Sequence, residues 1–170
     1  MGQEITGWLK PQEHTWLSYQ ARGKSAALEV GSYHGRSTSA LLNADFVWCI
    51  DLWGSSRKGY TIGEKDYQTF MRNMEPWLDK ITVLRGDSHE MLDALIELGE
   101  EFDLAFIDGC HEYNFVYSDI ERCLKLVKKG GVICGHDYNQ KAWPGVYQAV
   151  NELIPGVERV KGTSLWWKKV

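Results

Sequence analysis

The sequence predicts an α/β fold, a doubly wound and mostly parallel seven-stranded sheet that finishes in an antiparallel hairpin. Three observations lead there. Short apolar runs rich in β-branched and aromatic residues alternate with segments of helical periodicity. Glycine-bearing turns follow the apolar runs. At the carboxyl-terminal end, two strand-like runs lie too close together for a parallel crossover.

The first apolar run is Ala27 to Val30, preceded by an amphipathic segment around Pro11 to Gln20 in which Pro11 suits the first turn of a helix. Residues 1–24 thus read as a helical segment packing on the core of a single domain that covers 1–170. Further buried strands are expected at Phe46 to Ile50, Ile81 to Leu84, Leu104 to Ile107 and Val132 to Cys134. Helices fill the gaps: Thr38 to Leu42 with its flanks, Tyr67 to Leu78, His89 to Leu98 and Val116 to Val127. After a helix opened by Pro144 and running to Leu153, "GVERV" and "SLWWKKV" are separated only by a short gap that ends in Gly162 and Thr163, a spacing for a hairpin. Gly54 to Glu64, "GSSRKGYTIGE", is the loose stretch that can serve as a substrate lid.

Composition narrows the function. Lys and Arg number 19 against 23 Asp and Glu, a net charge of −4, and the basic residues are dispersed, so no nucleic-acid footprint appears. The four cysteines show no CxxC spacing, which fits reduced thiols in a cytoplasmic protein. No apolar run approaches a membrane span. A small-molecule partner is the expectation.

The stretch "LEVGSYHGRST" carries the first functional signal. Gly31 and Gly35 let the chain turn tightly after a strand and bring bare backbone against a ligand, with Ser32 and Tyr33 between them. On that reading a side chain at Gly31 abolishes ligand binding and leaves the fold intact. The G-x-x-x-G spacing fits neither a dinucleotide fingerprint nor a P-loop. Asp51 closes the second strand in "VWCID", where a carboxylate can accept both hydroxyls of a ribose, and Leu52 and Trp53 follow with apolar surface, Trp53 suited to stack on a base. Asp87, in "VLRGDS", can accept from an adenine amino group or simply cap a helix. Asp108 ends the fourth strand and His136 and Asp137 end the fifth. Adjacent strands put them within reach of one another, with His111 at the rim. These four are candidate catalytic residues, as general bases or as holders of a divalent ion. Asp119 reads as a structural residue pairing within its own helix, and His34 as exposed. Trp143 borders the cleft. Trp8, Trp16 and Trp77 are candidates for a homodimer face.

Together these segments resemble the class I S-adenosylmethionine-dependent methyltransferases, Rossmann-like proteins, and among them the group labelled methyltransferase domain 24. "FDLAFIDGCHEYNFVYSDIERCLKLVKKGGVICGHDY" is the specific part. The resemblance implies that Glu29, Gly31 and Gly35 cradle the methionine portion of S-adenosylmethionine, that Asp51 holds the ribose, and that Asp87 and Ser88 border the adenine. It further implies O-methylation of a small hydroxylated acceptor, such as a sugar or a natural product. Relatives place three oxygen ligands for a metal where Asp108, His136 and Asp137 stand here. The nitrogen of His136 tilts that set from magnesium towards manganese or towards no metal. The alternative is a cofactor-binding module that needs a partner chain for catalysis.

Overall fold

The computed structural model describes residues 5–54, 56–57 and 60–170. The main sheet holds β1 (Ala26–Val30), β2 (Phe46–Asp51), β3 (Ile81–Arg85), β4 (Phe102–Ile107), β5 (Val127–Gly135), β6 (Glu158–Arg159) and β7 (Trp166–Lys169). Its spatial order is β3-β2-β1-β4-β5-β7-β6. The first five strands pair in parallel, and β7 runs antiparallel to both β5 and β6. Among the described residues the α-helices are α1 (Pro11–Ala21), which precedes the sheet, and α2 (Arg36–Leu41), α3 (Glu64–Met74), α4 (Ser88–Leu98), α5 (Tyr113–Leu126) and α6 (Pro144–Leu153), which lie between its strands. A short antiparallel ribbon pairs Ser56–Arg57 with Tyr60–Thr61. The lid expected over Gly54 to Glu64 falls partly outside the described residues.

Alternation along the strands sends side chains to two cores, one per face. Leu28, Val30 and Ile50 pack with Leu92, Ile120 and Ala149 of α4, α5 and α6. Ala27, Cys49, Leu104 and Phe106 pack with Leu17, Leu41 and Phe70 of α1, α2 and α3. Helix ends follow local chemistry. Pro11 and Pro144 open α1 and α6, where a missing N–H costs nothing. Gly99 closes α4 at φ +72.

Two differences from the sequence expectation change the sheet. β5 starts at Val127, directly after α5, instead of at Val132. Val127 pairs with Phe102 and Val132 with Leu104, so Lys128 to Gly131 form an excursion inside one strand. The terminal hairpin turns over six residues, longer than the gap between the two runs. Val160 and Leu165 are joined by a backbone hydrogen bond of 3.0 Å, the Thr163 amide donates to the Val160 carbonyl at 3.1 Å, and Gly162 supplies φ +78. Among the described residues no helix is long and apolar enough to cross a membrane.

The strand order reverses between β1 and β4. In open α/β sheets the ligand crevice lies outside the carboxyl ends of the strands at that reversal.

Candidate active site

Among the described residues, three non-glycine residues adopt positive φ, Tyr33 at 45°, Trp53 at 38° and Asp137 at 59°. Each follows the carboxyl end of a strand, β1, β2 or β5, and such conformations cost of order 1–3 kcal/mol unless their surroundings enforce them. The enforcement is visible at Asp51. Its Oδ2 accepts the amides of Ser32 at 3.0 Å and Tyr33 at 2.8 Å, and its Oδ1 accepts the Trp53 amide at 2.8 Å. Burial raises the Asp51 pKa, and these three amides only partly offset it. One carboxylate therefore ties the turn after β1 to the turn after β2. A carboxylate has about four acceptor sites, so most of its capacity is spent within the chain, where the sequence assigned both oxygens to a ribose.

The glycine turn is tighter than expected. Gly31 has φ +92, and a Cβ there would lie 2.2 Å from the Asp108 carbonyl oxygen and 2.8 Å from Gly109 Cα. Gly31 is thus required by the backbone of the neighbouring strand end, and the expectation that a side chain there would spare the fold is overturned. Glu29, expected to touch a ligand, is fully buried beneath the turn and accepts the hydroxyls of Ser32 and Thr38, both at 2.6 Å. It braces the turn from below. Gly35 caps α2 at φ +91 with Met74 against it.

Trp53 is corrected from base platform to core residue. It is 1% exposed, packs on Tyr67 and Phe70, and donates from Nε1 to the Tyr33 carbonyl at 2.8 Å. Leu52 stays exposed. His34 is likewise not exposed: it bonds Asp66 at 2.8 Å and stacks on Tyr33. Asp87 caps α4 by accepting the His89 amide at 2.9 Å. Asp119 pairs across helices rather than within its own, accepting the Ser88 hydroxyl at 2.7 Å.

The acids and histidines of β4 and β5 converge. His111 Nε2 lies 2.8 Å from Asp137 Oδ2, and the His111 ring stacks on Trp143 with centroids 4.1 Å apart. One ligating atom from each of Asp108, His111 and Asp137 can be chosen so that all three lie within 4.8 Å of one another. The metal-capable trio thus contains His111 in place of the expected His136. His136 is 7% exposed and turns its Nε2 inward, to Glu13 Oε2 at 3.1 Å and Ser164 Oγ at 2.9 Å. Its Nδ1 faces Asp137 at 3.4 Å and Asp108 at 3.7 Å.

Glu13 is the functional-site residue that sequence reasoning missed. It is fully buried on α1, and its carboxylate accepts the amides of Lys10 at 2.9 Å and Ser164 at 3.1 Å. Burial raises its pKa, but those amides and the charge on His136 outweigh it and lower the net value. A glutamate three residues after Lys10 at a helix start signals an N-terminal capping contact. Nothing in that spacing announces a partner in the last hairpin.

Electrostatics sort the cluster into roles. Burial would lower the His136 pKa, but Asp137, Asp108 and Glu13 push it up to about 9, so the ring is cationic at neutral pH. Burial would raise Asp137, but His111 and His136 hold it well below the usual carboxylate range. Burial drives Asp108 upward, the histidines only partly offset it and Asp137 adds to it, so it reaches about 7. A carboxyl that changes protonation near pH 7 beside an ionised one is a set suited to proton handling or to cation binding.

Comparisons with known proteins agree with this layout. A family model described as "Methyltransferase domain", group 24, matches residues 28–138. Tapetum-specific methyltransferase 1 of Arabidopsis thaliana is 32% identical over 136 residues, 76% of this chain and 52% of that protein. An uncharacterized protein, R132, of Acanthamoeba polyphaga mimivirus is 40% identical over 60 residues, 35% of this chain and 27% of its own. The chain therefore spans about half the length of the plant relative and about a quarter of the viral one. In fold, it is similar to an O-methyltransferase from Bacillus cereus in complex with SAH, with a TM-score of 0.72, 21% identity and coverage of 96% of this chain and 82% of that one. It is also similar to cofactor-bound Rv0187 from MTB, with a TM-score of 0.75, 20% identity and coverage of 98% and 84%. The family match runs from β1 through the glycine turn and the acid cluster to Tyr138, over well more than half of the chain, and the chain belongs to the methyltransferase-domain family.

Proposed function

We propose that this chain is an S-adenosylmethionine-dependent O-methyltransferase acting on a small hydroxylated acceptor, such as a sugar or a natural product. The observation that carries the reading is the convergence of Asp108, His111 and Asp137 beside the glycine turn at the reversal of strand order. Methyl transfer from a sulfonium is an in-line displacement with a good leaving group. The protein's tasks are alignment and removal of the acceptor proton.

In this reading the cofactor lies across the ends of β1, β2 and β4. The clamp of Asp51 pre-forms its seat, and the remaining acceptor site of Asp51 Oδ1 meets the ribose. His111 is the base. With Nε2 turned to Asp137, Nδ1 is the atom that receives the hydroxyl proton, and Asp137 stabilises the imidazolium that forms. The groove lined by Gln140, Tyr147, Gln148 and Asn151, beginning at Pro144 beside Trp143, offers amides and a phenol to a polyhydroxylated acceptor.

A divalent ion also fits, because two carboxylates and one imidazole lie close enough to share it. Asp108, His111 and Asp137 would hold it, manganese suits the nitrogen better than magnesium, and its chemistry would be to lower the pKa of the acceptor hydroxyl. That the chain spans only half of the plant relative favours a second reading, in which further polypeptide completes the acceptor site.

The test is S-adenosylhomocysteine release with a panel of hydroxylated acceptors, before and after chelation and manganese addition. Asp108→Ala and Asp137→Ala are each expected to lower turnover about 100-fold or more, the scale of lost acid–base catalysis, with cofactor affinity changing less than about threefold. Wild-type turnover in both variants would refute the assignment of the centre. Cofactor binding without turnover on any acceptor, restored by a second polypeptide, would favour the second reading.

A further inference from the structure

A narrow cavity of about 10 Å³ lies against the acid cluster, and Asp108, His111, Val116, His136, Val146 and Trp166 are among the residues that line it. That is close to the space one water needs. Trp166 is 1% exposed, and its Nε1–H has no acceptor among the described residues. An orphaned buried donor is costly, and native folds supply such groups with a partner.

The indole reaches the cavity across a neighbouring strand. Trp166 opens β7 and pairs with Gly135 of β5, which pairs in turn with Ile107, the residue before Asp108. A Cβ on Gly135 would lie 2.6 Å from Trp166 Cζ2 and 2.7 Å from Cε2, the atom that carries Nε1. The bare backbone of Gly135 therefore lets the indole lie over β5, beside the end of β4. Asp108 stands on the same cavity. Its carboxyl has His136 Nδ1 at 3.7 Å, too long for a hydrogen bond, so charge attracts it without fixing its direction.

The chemistry of the two groups selects what can join them. An indole N–H only donates, and an ionised carboxylate only accepts. A cation has no lone pair for the first, and an anion is repelled by the second. Water accepts from one and donates to the other.

We propose that one buried water binds in this cavity and bridges Trp166 Nε1 to the Asp108 carboxyl, which makes Trp166 a positioning residue for that acid. The indole N–H donates to the water oxygen, and the water donates to a carboxylate oxygen. The turnover arm of the test rests on the function proposed above; the binding arm does not.

The binding arm is NMR of the whole isotopically labelled chain, with the Trp166 indole signal assigned through its own backbone resonances. A water held on Nε1 is expected to give that indole proton a direct cross-relaxation peak at the water frequency, with the sign of a molecule that tumbles with the protein. A wild type without that peak overturns the proposal, and no variant has to fold for this arm to decide. In the turnover arm, Trp166→Phe keeps an aromatic ring on β7 and removes the donor. It is expected to lower kcat about fivefold, the scale of one hydrogen bond, with KM and S-adenosylhomocysteine affinity within about twofold of wild type. A merely packing role would lower Tm and leave kcat of the folded variant at the wild-type level, and that outcome overturns the positioning role. A wild type that shows the water peak yet releases no S-adenosylhomocysteine with any acceptor refutes the function proposed above and leaves the water site standing.

Discussion

Replacing Glu13 with Gln removes one of the three anions around His136 and leaves a buried imidazolium facing a carboxamide. Loss of one partner from a buried ion pair costs about 3–5 kcal/mol, and Gln retains part of the hydrogen bonding, so about 3 kcal/mol of destabilisation is expected at pH 7. The pH dependence identifies the cause. His136 has a folded pKa raised from 6.5 to about 9, so its contribution is complete below about pH 6.5 and is lost as pH rises through 9. Linkage with those two values gives a loss of about 1 kcal/mol between pH 7 and 8. That window lies above the unfolded carboxylate range and below that of the unfolded thiols, whose buried folded counterparts are shifted upward. The assay is urea unfolding of metal-free protein at pH 7, 7.5 and 8. The wild type should lose stability along that series, Glu13→Gln should show a shallower slope, and His136→Gln a much shallower one, the remainder coming from Asp108, which sheds its proton near pH 7 in the fold. A wild type whose stability is constant across the window would show that His136 is not a buried cation, and the electrostatic account of the centre would fail with it.

Two further outcomes follow from the turns. Gly31→Ala puts a Cβ 2.2 Å from the Asp108 carbonyl at a φ of +92, and a loss of about 3 kcal/mol or more is expected, read as a fall in Tm whether or not cofactor is present; a variant as stable as wild type would mean the strand ends can separate freely. Asp51→Ala strands three amides, so a stability loss of about 1–3 kcal/mol should accompany an at least tenfold weaker S-adenosylhomocysteine affinity by calorimetry; retention of full affinity would remove Asp51 from the cofactor's seat.

The fold was legible because buried parallel strands are nearly continuous apolar runs, and all five expected ones sit within the observed β1 to β5. The expected strand at Val132 to Cys134 covers only part of β5, because a glycine pair such as Gly130-Gly131 signals a turn, whereas here it lies in an excursion inside the strand where the Gly130 amide bonds the Val170 carbonyl at 2.7 Å. Of the catalytic candidates, strand-end position sufficed to bring Asp108, His111, His136 and Asp137 together. It could not say which histidine turns inward, since that depends on Glu13 and Ser164, remote in sequence. Trp53 was misplaced for a related reason. Its position after Asp51 suggests a cleft wall, but its positive φ folds the ring back onto Phe70.

The clamp on His136 joins Glu13 to Ser164 across 151 residues of chain. During synthesis from the amino terminus, Glu13 has the neighbouring Lys10 amide while the sheet is laid down, and it finds the Ser164 amide and hydroxyl only after the last hairpin has emerged. Closing so long a loop is slow compared with pairing neighbouring strands, so the proton-handling centre is completed at the end of folding. Both halves of the clamp also lie outside residues 28–138, the span matched by the family model. Part of the electrical setting of the centre is therefore supplied from outside that span, so a change at Glu13 can alter the proton affinity of the site without any alteration to the matched strands.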